Sequence, residues 1–123
     1  LATCVMPDPG AYGRICRDEN GTLVGIVEYA DADADQRRIN EVNVSLYCFD
    51  AEVLRDVVGK LDNNNAKGEY YLTDALHLLR RAGAKLAAVV AVPPDEVRSI
   101  NTLEELGEVE RILAPRLGEE TGS

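Results

Sequence analysis

Residues 12–29 read Tyr-Gly-Arg-Ile-Cys-Arg-Asp-Glu-Asn-Gly-Thr-Leu-Val-Gly-Ile-Val-Glu-Tyr. Two extended stretches flank Asp18-Glu19-Asn20-Gly21, and Asn-Gly between such stretches is the strongest short-range hairpin signal, because both residues accept the positive φ of a tight turn. A β-hairpin is therefore expected here. Upstream, a short apolar stretch runs into Pro7, Pro9 and Gly10 and reads as a strand entering a turn. Downstream, the alternation of Ala and Asp from Asp31 to Asp35 buries no face and reads as a solvated loop or a single exposed helical turn. Val42 to Phe49 reads as another strand. Asp50 then caps a helix in which Val53, Leu54, Val57, Val58 and Leu61 share one face.

The second half continues the alternation. Asn63-Asn64-Asn65 suits turn and left-handed positions. Thr73 caps a helix running to about Ala82, with Leu76 and Leu79 inward and Gly83 as its stop. Lys85 to Val92, ended by Pro93-Pro94, reads as a buried strand. A last helix from about Thr102 to Leu117 carries Leu103, Leu106, Val109, Leu113 and Leu117 on one side. Strands alternating with helices give an α/β fold, and the hairpin makes its sheet mixed, with flanking helices.

At 123 residues, 46% hydrophobic and 28% charged, the chain is globular and one small domain at most. Its longest apolar run, Leu86 to Val92, is far short of the roughly 20 residues that span a bilayer, so membrane insertion is not expected. A formal net charge of −9 argues against nucleic acid as a partner, since phosphate binding depends on Lys and Arg. Cys4, Cys16 and Cys48 have no CxxC spacing and read as buried thiols of a reducing, cytoplasmic compartment. No basic segment followed by an apolar core opens the chain, so no secretory signal is visible. The chain begins with Leu1, which suggests a preceding segment.

The common catalytic constellations are absent from the sequence. His77, the one histidine, sits among leucines of a helix and reads as a helix-surface residue, and no phosphate-binding G-x-x-x-x-G-K-[ST] loop is present. Four polar features stand where the pattern does not ask for them. Gly13, after the Pro/Gly turn, allows close approach to backbone. Glu28 ends a strand, where it serves either a ligand or a salt bridge. Asn43 interrupts an apolar strand, where its amide needs partners, from capping or from a ligand. Asn101 precedes the last helix and is either a loop cap or a neutral oxygen ligand.

The run Asn63-Asn64-Asn65-Ala66-Lys67-Gly68-Glu69-Tyr70-Tyr71-Leu72-Thr73-Asp74, with Tyr12-Gly13-Arg14-Ile15 and Gly25-Ile26-Val27-Glu28, resembles a known family. It is the bacterial bifunctional N-acetylglucosamine-1-phosphate uridyltransferase/glucosamine-1-phosphate acetyltransferases, also called UDP-N-acetylglucosamine pyrophosphorylases. The resemblance covers nearly all of this chain and only the C-terminal half of the family's uridyltransferase domain. It implies a Rossmann-like nucleotidyltransferase fold (nucleotide-diphospho-sugar transferase type), with residues 1–123 as its sugar-binding half and residues 102–117 as a terminal helix leading toward the absent acetyltransferase domain. It also implies synthesis of UDP-N-acetylglucosamine and pyrophosphate from UTP and N-acetylglucosamine-1-phosphate, for peptidoglycan precursors.

By the same resemblance, the Gly13 backbone contacts the sugar, Glu28 accepts its hydroxyls, Asn43 supplies a sugar-binding amide, and Tyr71 and Thr73 approach the sugar from their loop. Asn101 matches a Mg²⁺ ligand whose partner Asp belongs to the absent N-terminal half, so the isolated chain is expected to bind metal and UTP poorly and to be inactive. Self-association or pairing with that half is expected as well. Two departures bear on the sugar. Gly10-Ala11-Tyr12-Gly13 shifts the first glycine of the turn by one, and Asn43-Val44-Ser45 replaces Asn-Thr/Ser-Gly, which puts bulk at Val44 and a residue poorly suited to positive φ at Ser45. The alternatives are another sugar-1-phosphate nucleotidyltransferase and a truncated, non-catalytic binding or assembly module.

Overall fold

The computed structural model describes residues 1–100 and 102–120, with side chains to 118. The chain divides into two compact units, Leu1–Val92 and Pro93–Ser123.

The first unit is built on a five-stranded sheet in the order β3-β2-β4-β1-β5. Its strands are β1 (Ala2–Val5), β2 (Arg14–Arg17), β3 (Leu23–Val27), β4 (Glu41–Asn43) and β5 (Val89–Val90). β2 pairs antiparallel with β3 and β4, β1 pairs antiparallel with β4, and β1 and β5 run parallel, so the sheet is mixed as expected. The hairpin forms with Ile15 opposite Ile26. Its turn differs from a two-residue Asn-Gly turn: only Gly21 takes positive φ, at 77°. Asp18 explains why. Its Oδ1 accepts the N–H groups of Asn20 and Thr22, at 3.0 and 2.9 Å. Its own N–H donates to Thr22 O. The pairing then slips between Cys16 and Arg17, a bulge that follows from the longer loop.

Two helices, α1 (Ala51–Val58) and α2 (Asp74–Arg81), supply leucine and valine to a core of Ile15, Leu23, Ile26, Val57, Ala75, Leu76 and Leu79. Asp50 caps α1 through Oδ1, as its position predicts. The apolar stripe of α1 is shorter and narrower than expected: the helix ends at Val58, so Leu61 lies beyond it, and Val57 is buried whereas Val53 and Val58 are exposed. Gly83 ends α2 at φ 81°. Gly25 faces His77, whose ring occupies the space a Cβ would need and whose Nε2 lies 3.3 Å from Ile26 O. Here a strand glycine marks close approach of a neighbouring side chain.

Several expectations are corrected. The strand expected over Val42 to Phe49 stops at Asn43 because Ser45 takes φ 60° and turns the chain out of the sheet. Cys48 therefore lies in irregular chain and is exposed; Cys16 is half-buried, and Cys4 is the one buried thiol of the three. Lys85 to Val92 yields only β5, which is an edge strand with Val89 and Val90 exposed. Ala32 is buried and Asp31 accepts the Ala66 N–H at 2.7 Å, so the acidic loop is tied down and not merely solvated. None of Asn63, Asn64 and Asn65 takes positive φ. Asn65 instead orders its loop through its side chain, accepting from the N–H groups of Lys67 and Glu69 and donating to Glu69 O.

An ion pair locks the sheet together. Arg17 donates to both carboxylate oxygens of Glu41 at 2.7 Å, and to Gly21 O and Ala88 O, while Thr3 donates to Glu41 Oε1 at 2.6 Å. The Arg17 hydrogen bonds, with help from Thr3, hold the Glu41 carboxyl below its ordinary value of 4.5. A depressed folded-state value means that this contribution is present above the unfolded value and is lost as pH falls through the folded one. Asp18, held low chiefly by the Thr22 N–H, acts in the same sense, and Asp74, raised by burial, acts in the opposite one. Comparing wild type with Glu41→Gln isolates Glu41. We expect the variant to lose about 1–2 kcal/mol in urea unfolding at neutral pH, with the gap closing below pH 4.5. A gap independent of pH would exclude the ion pair as its source.

The second unit holds a short 3₁₀ turn, Pro94–Glu96, and helix α3, Leu103–Glu120, which contains Pro115. Arg98 pairs with Glu108 at 2.9 Å. The expected apolar side of this helix is largely uncovered, with Leu103, Leu113 and Leu117 exposed.

Candidate functional site

The chain leaves the Pro/Gly turn through Gly10, at φ 44°, and reaches Gly13 immediately before β2. Gly13 is buried, and its carbonyl accepts the Asn43 N–H at 2.9 Å. A Cβ on Gly13 would come within 3.2 Å of Ile26 Cγ2 and 3.3 Å of Glu28 Oε2. Glycine at this position thus lets β2 sit against both residues without displacing the carboxylate.

Glu28 follows directly on β3. Its Oε1 accepts the Thr73 hydroxyl at 3.0 Å. Thr73 occupies the N-cap position of α2 as expected, but its side chain makes no capping bond, because the hydroxyl is committed to Glu28. Asn43 is 8% exposed, and its Oδ1 accepts from the Ser45 N–H at 3.0 Å and the Tyr47 hydroxyl at 2.8 Å. Tyr47 stacks on Phe49 with ring centroids 5.5 Å apart, which fixes the phenol that fixes the amide. Burial raises the Tyr47 phenol pKa.

These groups meet at a cavity of about 360 Å³, lined by Glu28, Asn43, Ser45, Tyr47, Tyr70, Tyr71, Leu72 and Thr73. That volume is within the range of small-ligand sites. Tyr71 lines the cavity with its side chain, while its hydroxyl is shielded from solvent and has no hydrogen-bond partner. Burial, and then the carboxylates of Asp31, Glu69, Glu28 and Asp74, push its pKa up, so it stays a neutral donor. Chemically the cavity offers carboxylate oxygens, an amide and phenols, with a tyrosine and a leucine as apolar wall.

Five of the six residues singled out in the sequence therefore come together: Glu28, Asn43, Tyr71 and Thr73 line the cavity, and Gly13 backs Glu28 and Asn43. Asn101 lies outside the described residues. Among the described residues no group of three or more His, Cys, Asp or Glu is placed to hold a metal ion, and they do not amount to a Mg²⁺ site. Sequence reasoning missed Tyr47, Tyr70 and Leu72 as wall residues, and Ser45, noted in the sequence only as a departure in the turn, lines the cavity as well. Tyr47 carried a signal, an aromatic side chain four residues after the amide it orients, but only the chain reversal at Ser45 brings the two together.

Ser45 is the one non-glycine residue with positive φ among those described. Ser45→Gly relieves that strain and is expected to stabilise the chain by about 0.5–1 kcal/mol, seen as a higher urea midpoint. A lower midpoint would show that the Ser45 hydroxyl matters more than its backbone.

The fold and the cavity define a small α/β unit with a polar pocket beside the ends of β3 and β4. No family model matches the chain. It is similar to the bifunctional protein GlmU of Clostridium novyi, 44% identical over 119 residues, which is 97% of this chain and 26% of that protein. GlmU of Thermobifida fusca is 46% identical over 94% of the chain and 24% of its own length, and GlmU of Corynebacterium aurimucosum is 42% identical over 98% and 25%. The chain thus corresponds to one part of the bifunctional GlmU proteins and spans about a quarter of the length of these relatives, which bears out the resemblance read from residues 63–74. Among the described residues no helix is long and apolar enough to cross a membrane.

Proposed function

We propose that the chain is the sugar-phosphate-binding part of a Rossmann-like nucleotidyltransferase that makes UDP-N-acetylglucosamine and pyrophosphate from UTP and N-acetylglucosamine-1-phosphate, supplying cell-wall precursors in the cytoplasm. The observation that carries this reading is the cavity at which Glu28, Asn43, Tyr71 and Thr73 meet. A hexose is recognised by a few fixed donors and acceptors around an apolar wall, and this cavity has both.

In this reading Glu28 accepts sugar hydroxyls and orients the ring; it is not a base. Thr73 fixes the carboxylate, Asn43 presents its amide nitrogen, and the Gly13 backbone closes one side. Attack of the sugar phosphate on the α-phosphate of UTP depends on positioning and charge neutralisation, for which the described residues supply the positioning alone. Mg²⁺ would neutralise phosphate charge in the complete enzyme. Asn101 is proposed as one of its ligands, and the isolated chain is proposed to be inactive. Residues 1–123 are proposed as the sugar-binding half of the domain, with α3 leading toward a further domain. The exposed edge strand β5 supports pairing with another half-domain or with a second copy.

The test is a titration of the chain with N-acetylglucosamine-1-phosphate and with glucose-1-phosphate, followed by amide shifts. The first is expected to bind more tightly and to shift Gly13, Ser45 and Tyr71. Preference for glucose-1-phosphate would favour a different sugar-1-phosphate enzyme, and shifts confined to other surfaces would remove the cavity as the sugar site. Pyrophosphate release by the full-length parent with each sugar phosphate checks the same specificity in turnover.

A further inference from the structure

Arg14 is 2% exposed and is the largest of the most deeply buried side chains. A buried guanidinium normally faces a carboxylate, since an unpaired charge away from water is costly. Among the described residues, no ion pair is formed by Arg14. Its donors go instead to main-chain carbonyls: Nη2 to Gly10 at 2.8 Å, Nη1 to Pro9 at 3.2 Å and also to Tyr12, and Nε to Arg37 at 3.4 Å. The guanidinium also lies 5.3 Å from the centre of the Tyr29 ring, and Arg37 lies 4.8 Å from that ring.

Three of those carbonyls belong to residues 9–12, the turn that delivers Gly13 to Glu28 and Asn43. The fourth belongs to the 3₁₀ turn Gln36–Arg38. Carbonyl dipoles pointing at one place repel one another, and a planar cation with donors in several directions turns that repulsion into a clamp. A short loop whose polar groups are held in this way stays in one conformation, which a binding site built on backbone requires.

We propose that Arg14 is a positioning residue: it locks the 9–13 loop so that the Gly13 backbone stands at the sugar-phosphate cavity beside Glu28 and Asn43. The ligand part of this proposal rests on the sugar-phosphate reading given above.

Arg14→Lys keeps the charge and removes the planar fork. Hydrogen exchange at the Tyr12 and Asn43 amides, which bond to Pro9 O and Gly13 O, is expected to accelerate on the order of tenfold. The amides of the β2–β3 ladder should keep their protection, and affinity for N-acetylglucosamine-1-phosphate should fall by about tenfold. Should Arg14→Lys fail to fold, Tyr29→Leu, which removes the partly exposed ring lying against the guanidinium, is expected to give the same pattern. Unchanged exchange at Tyr12 and Asn43 in a folded variant overturns the clamp, as does protection lost evenly across the sheet. Exchange that accelerates as expected in a chain whose wild type does not bind the sugar phosphate overturns the ligand reading and leaves the clamp standing.

Discussion

Replacing Glu28 by alanine is expected to weaken binding of N-acetylglucosamine-1-phosphate about thirtyfold while the chain stays folded. The size follows from what the carboxylate does. Hydrogen bonds to a charged acceptor contribute about 1.5–3 kcal/mol each when water is excluded, and Glu28 has one oxygen committed to Thr73 and a second beside Gly13. The change leaves the buried Thr73 hydroxyl without its acceptor, so a stability loss of about 1 kcal/mol should accompany it. Thr73→Ala alone is expected to cost only a few-fold in affinity, because it frees the carboxylate without removing it. The two changes should be non-additive, since they remove the same hydrogen bond. Calorimetric titration of the single and double variants gives both numbers. Full affinity in Glu28→Ala would end the case for this carboxylate as a sugar contact.

Leu76→Ala should produce the largest loss of stability, about 3 kcal/mol, read as a fall in urea midpoint at unchanged slope. Leu76 is 2% exposed and lies in the core with Ile15, Leu23 and Ile26 of the hairpin and Val57 of α1. Truncation removes the transfer free energy of the lost atoms and leaves a cavity that a strand and a helix cannot both close over. Leu103→Ala is the matching control. Leu103 belongs to the same sequence pattern of helical leucines but is 87% exposed, so the cost should be within about 0.5 kcal/mol. Equal costs at the two positions would mean that the core lies elsewhere than between the hairpin and α2.

The elements built from local signals were legible in advance. The hairpin at residues 12–29, the Asp50 cap, the Gly83 stop and the inward Leu76 and Leu79 each depend on neighbours in the chain, and each forms as read. What failed did so for two reasons: burial is a property of neighbours distant in sequence, and the backbone reverses at Ser45. Lys85 to Val92 has the composition of a central strand, yet β5 has a partner on one side only and its valines face outward. Val42 to Phe49 is apolar enough for a long strand, yet Ser45 turns it away after three residues, and Cys48 is exposed as a consequence.

The cavity divides along the same line. Gly13, Glu28, Asn43, Tyr71 and Thr73 stood out as letters, through an unusual placement or through resemblance. Their grouping is a matter of tertiary structure: the Gly13 carbonyl meets the Asn43 amide across β2 and β4, and Thr73 abandons its cap for Glu28. Nothing local predicts that Arg14 spends its fork on carbonyls instead of a carboxylate, or that the Tyr71 hydroxyl is left without a partner. Sequence by itself determined the kind of fold, the Asp50 cap, the Gly83 stop and the kinship, because turn chemistry, capping and periodicity act within a few residues. Tertiary structure alone decided which polar groups face one cavity and which apolar ones stay uncovered, because hydrogen-bond partners and burial are settled only when strands far apart in the chain are brought side by side.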